Sequence, residues 1–200
     1  MFKPFYNQAR KPEGILGKLM LYLMNKGHSK LREWSFSFLN LTNRSMHALD
    51  IGCGGGASII QMLECFPNSK VDGIDYSEEC VDFSRKRVQK FGSRSNICQG
   101  DVKDLPYEDC TFDLVTAFET IYFWQDLKKA FLEVRRVLKP EGLFMVCCVL
   151  ADSRETKWSN LVDDFVIHEG GEMKELLEQL GFHHVEIHKN QKGWMCLIAQ

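Results

Sequence analysis

The stretch Met46-His47-Ala48-Leu49-Asp50-Ile51-Gly52-Cys53-Gly54-Gly55-Gly56-Ala57 constrains the fold more than any other part of the chain. An apolar run over 46–52 closes on glycines. It opens at once into ASIIQMLECF, where Ile59, Met62, Leu63 and Phe66 recur at helical spacing. Short apolar runs bounded by turn residues read as buried strands, so this segment predicts a strand, a tight turn and a helix, ended by Pro67-Asn68. The alternation repeats. VDGID (71–75) predicts the next strand, and Ser77 caps a helix that runs to Gly92 with Glu78 and Glu79 at its positive end. NICQGD (96–101) and FDLVTAF (112–118) follow as strands. Asp126 caps a helix with Leu127, Ala130, Phe131, Val134 and Leu138 on one face, stopped at Lys139-Pro140. LFMVCCVL (143–150) predicts a central strand, GEMKELLEQLG (171–181) a helix, and residues 183–189 and 193–200 a closing strand pair. This order predicts an α/β, Rossmann-like, doubly wound sheet, mostly parallel, with helices on both faces.

Residues 1–45 lie outside that pattern and predict a helical lid over one end of the sheet. Ile15, Leu16, Leu19, Met20 and Leu23 form one apolar helix face, and Leu31, Trp34, Phe38 and Leu39 another. Residues 46–200 form the ligand-binding domain. Charge divides the same way. The whole chain carries −2, but residues 1–44 hold eight basic and two acidic residues. Such an arm suits either a solvated helix face or an anionic partner. The overall balance gives no nucleic-acid footprint. No run approaches the length of a bilayer-spanning helix, and the first residues lack a secretory pattern. The eight cysteines are scattered and form no CxxC pair, which predicts a reducing cytoplasm and no bound metal. Adjacent Cys147 and Cys148 point to opposite faces of their strand.

The glycine pattern 52–57 fits a GxGxxA dinucleotide fingerprint, so NAD is one candidate ligand. Asp50 argues against it. A carboxylate at the strand's carboxyl end repels a pyrophosphate and favours a ligand with a positive amino group. S-adenosylmethionine carries an ammonium and a sulfonium and no phosphate. Asp75, ending the second strand, suits both ribose hydroxyls, and Asp101, after the third, suits the adenine amino group. Tyr76 and Val102 adjoin those acids and offer apolar faces to the ring. Three acids at successive strand ends, together with the glycine loop, point to one elongated nucleoside.

ALDIGCGGG, GIDYS, QGD, FDLVTAFE and VLKPEGLF, in this order, resemble the class I S-adenosylmethionine-dependent methyltransferases, in the branch typified by ubiquinone and menaquinone biosynthesis enzymes. The resemblance covers residues 46–148 specifically, extends to residue 200, and says little of 1–45. It implies a seven-stranded sheet whose last strand is antiparallel. It implies that Gly52, Cys53 and Gly54 wrap the methionyl end, with Asp50 anchoring the loop or the amino group. Asp75 would hold the ribose, Asp101 and Val102 the adenine, and Ala117 and Phe118 would line the cofactor. The product would be S-adenosylhomocysteine. Relatives that methylate adenine or glutamine amides carry an Asn-Pro-Pro-aromatic turn where this chain has Ala117-Phe118-Glu119-Thr120.

Methyl transfer is an in-line displacement, so a protein chiefly aligns and desolvates the reactants. A base is needed only when the acceptor must lose a proton. Glu119 and Tyr122 are the candidate catalytic residues, and Tyr6, Arg10, His28, Trp124 and His168 are candidates to meet substrate. Glu119 also suits a helix cap or an exposed acid, and Tyr122-Phe123-Trp124 also suits core packing. The favoured acceptor is a small molecule, handled by a monomer or homodimer. RNA or protein methylation, and a non-catalytic cofactor-binding module, remain as alternatives.

Overall fold

A computed structural model describes residues 6–10, 12–39, 45–155 and 157–200. Seven strands form one sheet in the order β3-β2-β1-β4-β5-β7-β6. They are β1 His47–Ile51, β2 Lys70–Asp75, β3 Ile97–Gln99, β4 Phe112–Phe118, β5 Leu138–Cys148, β6 Glu186–Lys189 and β7 Met195–Ala199. The first five pair in parallel. The expected closing pair is present, with β7 slotted antiparallel between β5 and β6. The chain runs outward from β1 to β3 and then returns to β4 on the other side of β1. That reversal leaves a crevice outside the carboxyl ends of β1 and β4.

Helices in chain order are α1 Gly14–Gly27, α2 Ser29–Phe36, α3 Ala57–Cys65, α4 Glu78–Val88, α5 Leu127–Val137, α6 Lys157–Leu161 and α7 Gly170–Gln179. Strand alternation sorts the core onto two sides of the sheet. Leu49, Ile51 and Cys148 pack with Phe131, Phe144 and Leu177 on one side. Ala48, Met145 and Cys147 pack with Leu31, Ile59 and Val81 on the other. The two adjacent cysteines do face opposite ways.

Several boundaries moved. The third strand stops at Gln99, and beyond it Asp101 makes only an isolated bridge with Asp104. The fifth strand starts at Leu138, before Pro140 rather than after it. Leu138 pairs with Phe112, and a register shift between Phe112 and Leu114 absorbs the extra residues. A bulged strand start tolerates proline because no ladder donor is required there. α4 gives way at Val88 to a 3-10 stretch over Gln89–Arg94 broken at Gly92, whose φ is 60°.

The expected apolar face of α1 is corrected in part. Met20 is buried as expected, but Leu16, Leu19 and Leu23 face outward and Leu21 is buried beside Met20. The side chains of Ile15, Lys18, Asn25 and Lys26 lie outside the described residues, as do residues 1–5, 11 and 40–44 with their Lys3, Lys11 and Arg44. The buried side of the helix also carries Gly17, which lies so close to Pro12 that a Cβ there would come within 2.7 Å of its backbone.

Candidate active site

The crevice holds a cavity of about 480 Å³. Its floor is the loop between β1 and α3. Gly52, Gly54 and Gly56 take left-handed φ values of 68°, 50° and 71°, a conformation open mainly to glycine. A Cβ on Gly52 would run into the Thr120 side chain, whereas one on Gly54 would meet nothing nearer than Leu21 at 3.8 Å. Gly54 therefore presents bare backbone to the cavity. The loop is stitched to β2 by Gly52 N–H and Cys53 N–H, which donate to the Ile74 carbonyl at 2.8 and 3.1 Å. The Arg87 guanidinium donates to the Gly55 carbonyl, and Ser84 Oγ donates to that of Gly54 at 2.7 Å.

Asp75 locks the same loop. Its Oδ2 accepts from Gly54 N–H at 2.7 Å and its Oδ1 from Ser77 N–H at 2.9 Å. Burial pushes its carboxyl above the ordinary carboxylate range, with those two bonds pulling the other way. Each oxygen keeps a lone pair for a further donor. The Gly54 N–H that a pyrophosphate would need is already taken by a carboxylate. Next to Asp75, Tyr76 is 67% exposed at the cavity's outer edge. Across from it stand Asp101 and Val102. Asp101 accepts from Lys103 N–H at 2.9 Å and lies 3.4 Å from Lys103 Nζ. Among the described residues, three acids line the cavity (Asp75, Asp101, Glu119), and its two lining cations, Arg10 and Lys103, are each paired with a carboxylate. The donor set fits a nucleoside that brings hydroxyls, an amino group and positive charge.

The opposite wall is the segment after β4. Phe118, Glu119, Thr120, Phe123 and Trp124 line it. Glu119 has φ 58°, a strained value for a residue with a side chain. Its own N–H still bonds the Cys147 carbonyl at 2.9 Å, so the strain is held by the sheet. Oε1 accepts from Val149 N–H at 2.5 Å and from the Tyr122 hydroxyl at 3.2 Å. Leu150 N–H donates to that hydroxyl at 3.0 Å. His28 Nε2 stands 3.5 Å from Oε2. Burial raises Glu119 to about 7, against the pull of the Val149 and Tyr122 bonds. Burial, reinforced by Arg32, lowers His28 to about 4. Near neutrality the imidazole is uncharged and the carboxyl is poised between its two forms.

A strap that includes residues 6–10 and 12–14 crosses the mouth. Tyr6 meets Trp158 edge-on at 5.7 Å. Asn7 Nδ2 donates to Asp163 at 2.7 Å, while its Oδ1 accepts from Asp163 N–H at 2.9 Å. Arg10 pairs with Asp164 at 2.6 Å. At the far side Gly14 N–H donates to Glu79 at 2.7 Å. Ala9, Arg10 and Pro12 face the cavity between these anchors.

The structure brings ten of the expected residues to the cavity: Arg10, Gly52, Gly54, Asp75, Tyr76, Asp101, Val102, Phe118, Glu119 and Trp124. Tyr122 and His28 sit one bond or contact behind Glu119. Asp50, Cys53 and Ala117 are buried behind the wall, 2%, 6% and 0% exposed. Asp50 belongs to the same side of β1 as Ala48, beneath α2, and there accepts from the Thr116 hydroxyl at 2.7 Å. Burial raises it to about 7. Asp50, expected to anchor the loop or the ligand's amino group, is not among the residues that line the cavity. Tyr6 belongs to the strap's outer anchor. His168 lies away from the lining, half-buried, and its Nε2 has no hydrogen-bond partner among the described residues. The sequence reading missed Thr120, Phe123, Gln125, Leu21 and Met24, which also line the cavity. The first three follow the strand beside the switch point, which is the available signal for them.

A doubly wound sheet with a glycine loop, acids at its strand ends and no free anion cradle among its described residues defines a nucleoside-binding α/β domain. A family model described as a methyltransferase domain matches residues 42–193. The chain is 28% identical over 178 residues to 2-methyl-6-phytyl-1,4-hydroquinone methyltransferase 1 of Oryza sativa subsp. japonica, covering 86% of this chain and 52% of that protein. It is 30% identical to the demethylmenaquinone methyltransferase of Symbiobacterium thermophilum, over 64% of this chain and 56% of that one. A methyltransferase structure from Aquifex aeolicus superposes with a TM-score of 0.67 at 20% identity, covering 86% and 96% of the two chains. The chain thus spans about half the length of these two curated relatives. It belongs to the class I S-adenosylmethionine-dependent methyltransferase family.

Proposed function

We propose that the chain transfers a methyl group from S-adenosylmethionine to a small, largely apolar acceptor whose reacting atom loses a proton, as a phenolic or quinol hydroxyl does. The observation that carries this reading is Glu119, a buried carboxyl raised to about 7 on the cavity wall, with its Oε1 held by two hydrogen bonds. A group poised near neutrality is what proton acceptance requires. Aromatic and aliphatic side chains surround it on the acceptor side: Phe118, Phe123, Trp124, Leu21 and Met24. The two relatives named above are a hydroquinone and a demethylmenaquinone methyltransferase by name, which agrees with an apolar, quinonoid acceptor.

In this reading Asp75 accepts from the ribose hydroxyls and Asp101 from the adenine amino group. Tyr76 and Val102 flank the ring, and Gly52 and Gly54 let the methionyl end approach the backbone. When bound, the sulfonium supplies an activated methyl group with a neutral thioether as leaving group. Glu119 takes the acceptor's proton, and Tyr122 orients the carboxyl by donating to it. Residues 6–27 act as a lid whose inner surface excludes water.

The test is calorimetry with S-adenosylmethionine, S-adenosylhomocysteine and NAD, followed by transfer of labelled methyl groups to quinol and phenol acceptors. Heat with the first two and label on a hydroxyl are expected. Tight binding of NAD, with no heat from the methyl donor or its product, overturns the reading.

A further inference from the structure

The outer side of α1 is apolar where a surface helix is normally polar. Leu16, Leu19, Tyr22 and Leu23 are 55%, 48%, 61% and 48% exposed. Leu16, Leu19 and Leu23 follow the i, i+3, i+7 spacing of a single helix row. The adjoining row holds the positions of Lys18, Tyr22 and Lys26, each four residues from the next. Residues 14–32 contain four basic residues and no acid. The inner side of the same helix, through Leu21 and Met24, lines the cavity. A surface helix ordinarily turns its apolar side to the core, yet α1 also leaves three leucines and a tyrosine on its outer side.

We propose that the outer face of α1 seats on an anionic lipid surface. The leucine row would enter the boundary between headgroups and acyl chains. At 14 residues α1 is about 21 Å long, too short to span a bilayer and suited to lying in its interface. Charge selects the occupant. The chain as a whole is at −2, but residues 1–44 carry six more basic than acidic residues, so this end is drawn to anionic lipid while the remainder is repelled. Seated this way, the cavity lies one helix thickness from the lipid. Resting on the reading above, an apolar acceptor would then be taken from the membrane.

The test is sedimentation of the protein with vesicles of phosphatidylcholine alone and of phosphatidylcholine containing phosphatidylglycerol. No substrate is present, so the outcome is independent of turnover. Pelleting with the anionic vesicles, weakened by salt, is expected. The double variant Leu19→Gln/Leu23→Gln should lose roughly tenfold or more in partitioning, while its thermal shift with S-adenosylhomocysteine stays as in the parent, showing an intact fold. Three results overturn the proposal. One is no pelleting with anionic vesicles, or equal pelleting with both kinds. Another is a double variant that pellets like the parent. The third is a concentration-dependent dimer in analytical ultracentrifugation that the double variant abolishes.

Discussion

Replacing Glu119 by glutamine isolates the energetic signature of the buried carboxyl. The amide keeps the geometry: its Oε1 can still accept from Val149 N–H and Tyr122 Oη, which stand 2.5 and 3.2 Å from that atom in the parent. Its Nε2 can donate to the neutral His28 ring, 3.5 Å from the parent's Oε2. What the substitution removes is a titration. In the folded chain Glu119 holds its proton up to about 7, against an ordinary value of 4.5. Between those values the native state binds a proton that the unfolded state has released. Stability conferred by this group is therefore complete below about pH 4.5, is lost as pH rises toward 7, and is level above that. At ~1.4 kcal/mol per unit of pKa, the loss reaches about 3 kcal/mol at pH 8 and is about 1 kcal/mol at pH 5.

The Glu119→Gln variant lacks that slope. Urea denaturation followed by tryptophan fluorescence, at about pH 5 and about pH 8, should show the variant gaining roughly 2 kcal/mol on the parent between the two conditions. Asp50, also raised to about 7, titrates in both proteins and cancels in the difference. A stability difference that does not change with pH would falsify the buried-carboxyl assignment. In the transfer assay the parent's rate should rise through about pH 7, and the variant should be slow and flat across that range.

Gly52→Ala places a Cβ in the Thr120 side chain at φ 68°, so we expect loss of cofactor binding and about 3 kcal/mol of destabilisation. Gly54→Ala meets nothing nearer than Leu21 at 3.8 Å and should cost only the conformational ~1–2 kcal/mol; equal costs in denaturation would contradict the loop geometry. Asp75→Asn sets an amide N–H against Gly54 N–H or Ser77 N–H and should weaken S-adenosylmethionine by about tenfold or more in calorimetry. An unchanged Kd would remove Asp75 from the ribose site. Asn7→Ala breaks both bonds to Asp163 on an exposed strap. It should change stability by less than ~0.5 kcal/mol yet speed release of S-adenosylhomocysteine in stopped flow, and an unaltered off-rate would end the lid reading.

The sheet was legible because most of its strands are local apolar runs and two of its helices carry their own side-chain caps. Ser77 accepts from Cys80 N–H and Asp126 from Lys129 N–H, as their positions foretold. The cofactor loop was legible for a related reason: three glycines in left-handed conformations announce themselves wherever they occur. What sequence order could not supply was the depth at which a residue ends. Asp50 and Asp75 stand near the ends of neighbouring strands on one face of the sheet, yet Asp50 is 2% exposed and Asp75 lines the cavity. The parallel register explains it: Asp50 pairs with Gly73, two residues before Asp75, and so sits deeper in the sheet. In α1 apolar residues fall on more than one side, so periodicity could not choose which would be buried; the buried side carries Gly17, which sits close against Pro12.

Glu119 is the sharpest case, because its environment is assembled from distant segments. Val149 comes from the end of β5, Tyr122 from the turn after β4 and His28 from the junction of α1 and α2. None of these alone marks an acid as buried. Together they remove water from it while leaving one edge on the cavity. Asp50, within β1, is covered by the packing around it and is 2% exposed, whereas Glu119, one residue past the end of β4, keeps an edge on the cavity. An acid near a strand end becomes structural or reactive according to how far along its strand it sits and what the rest of the chain lays over it.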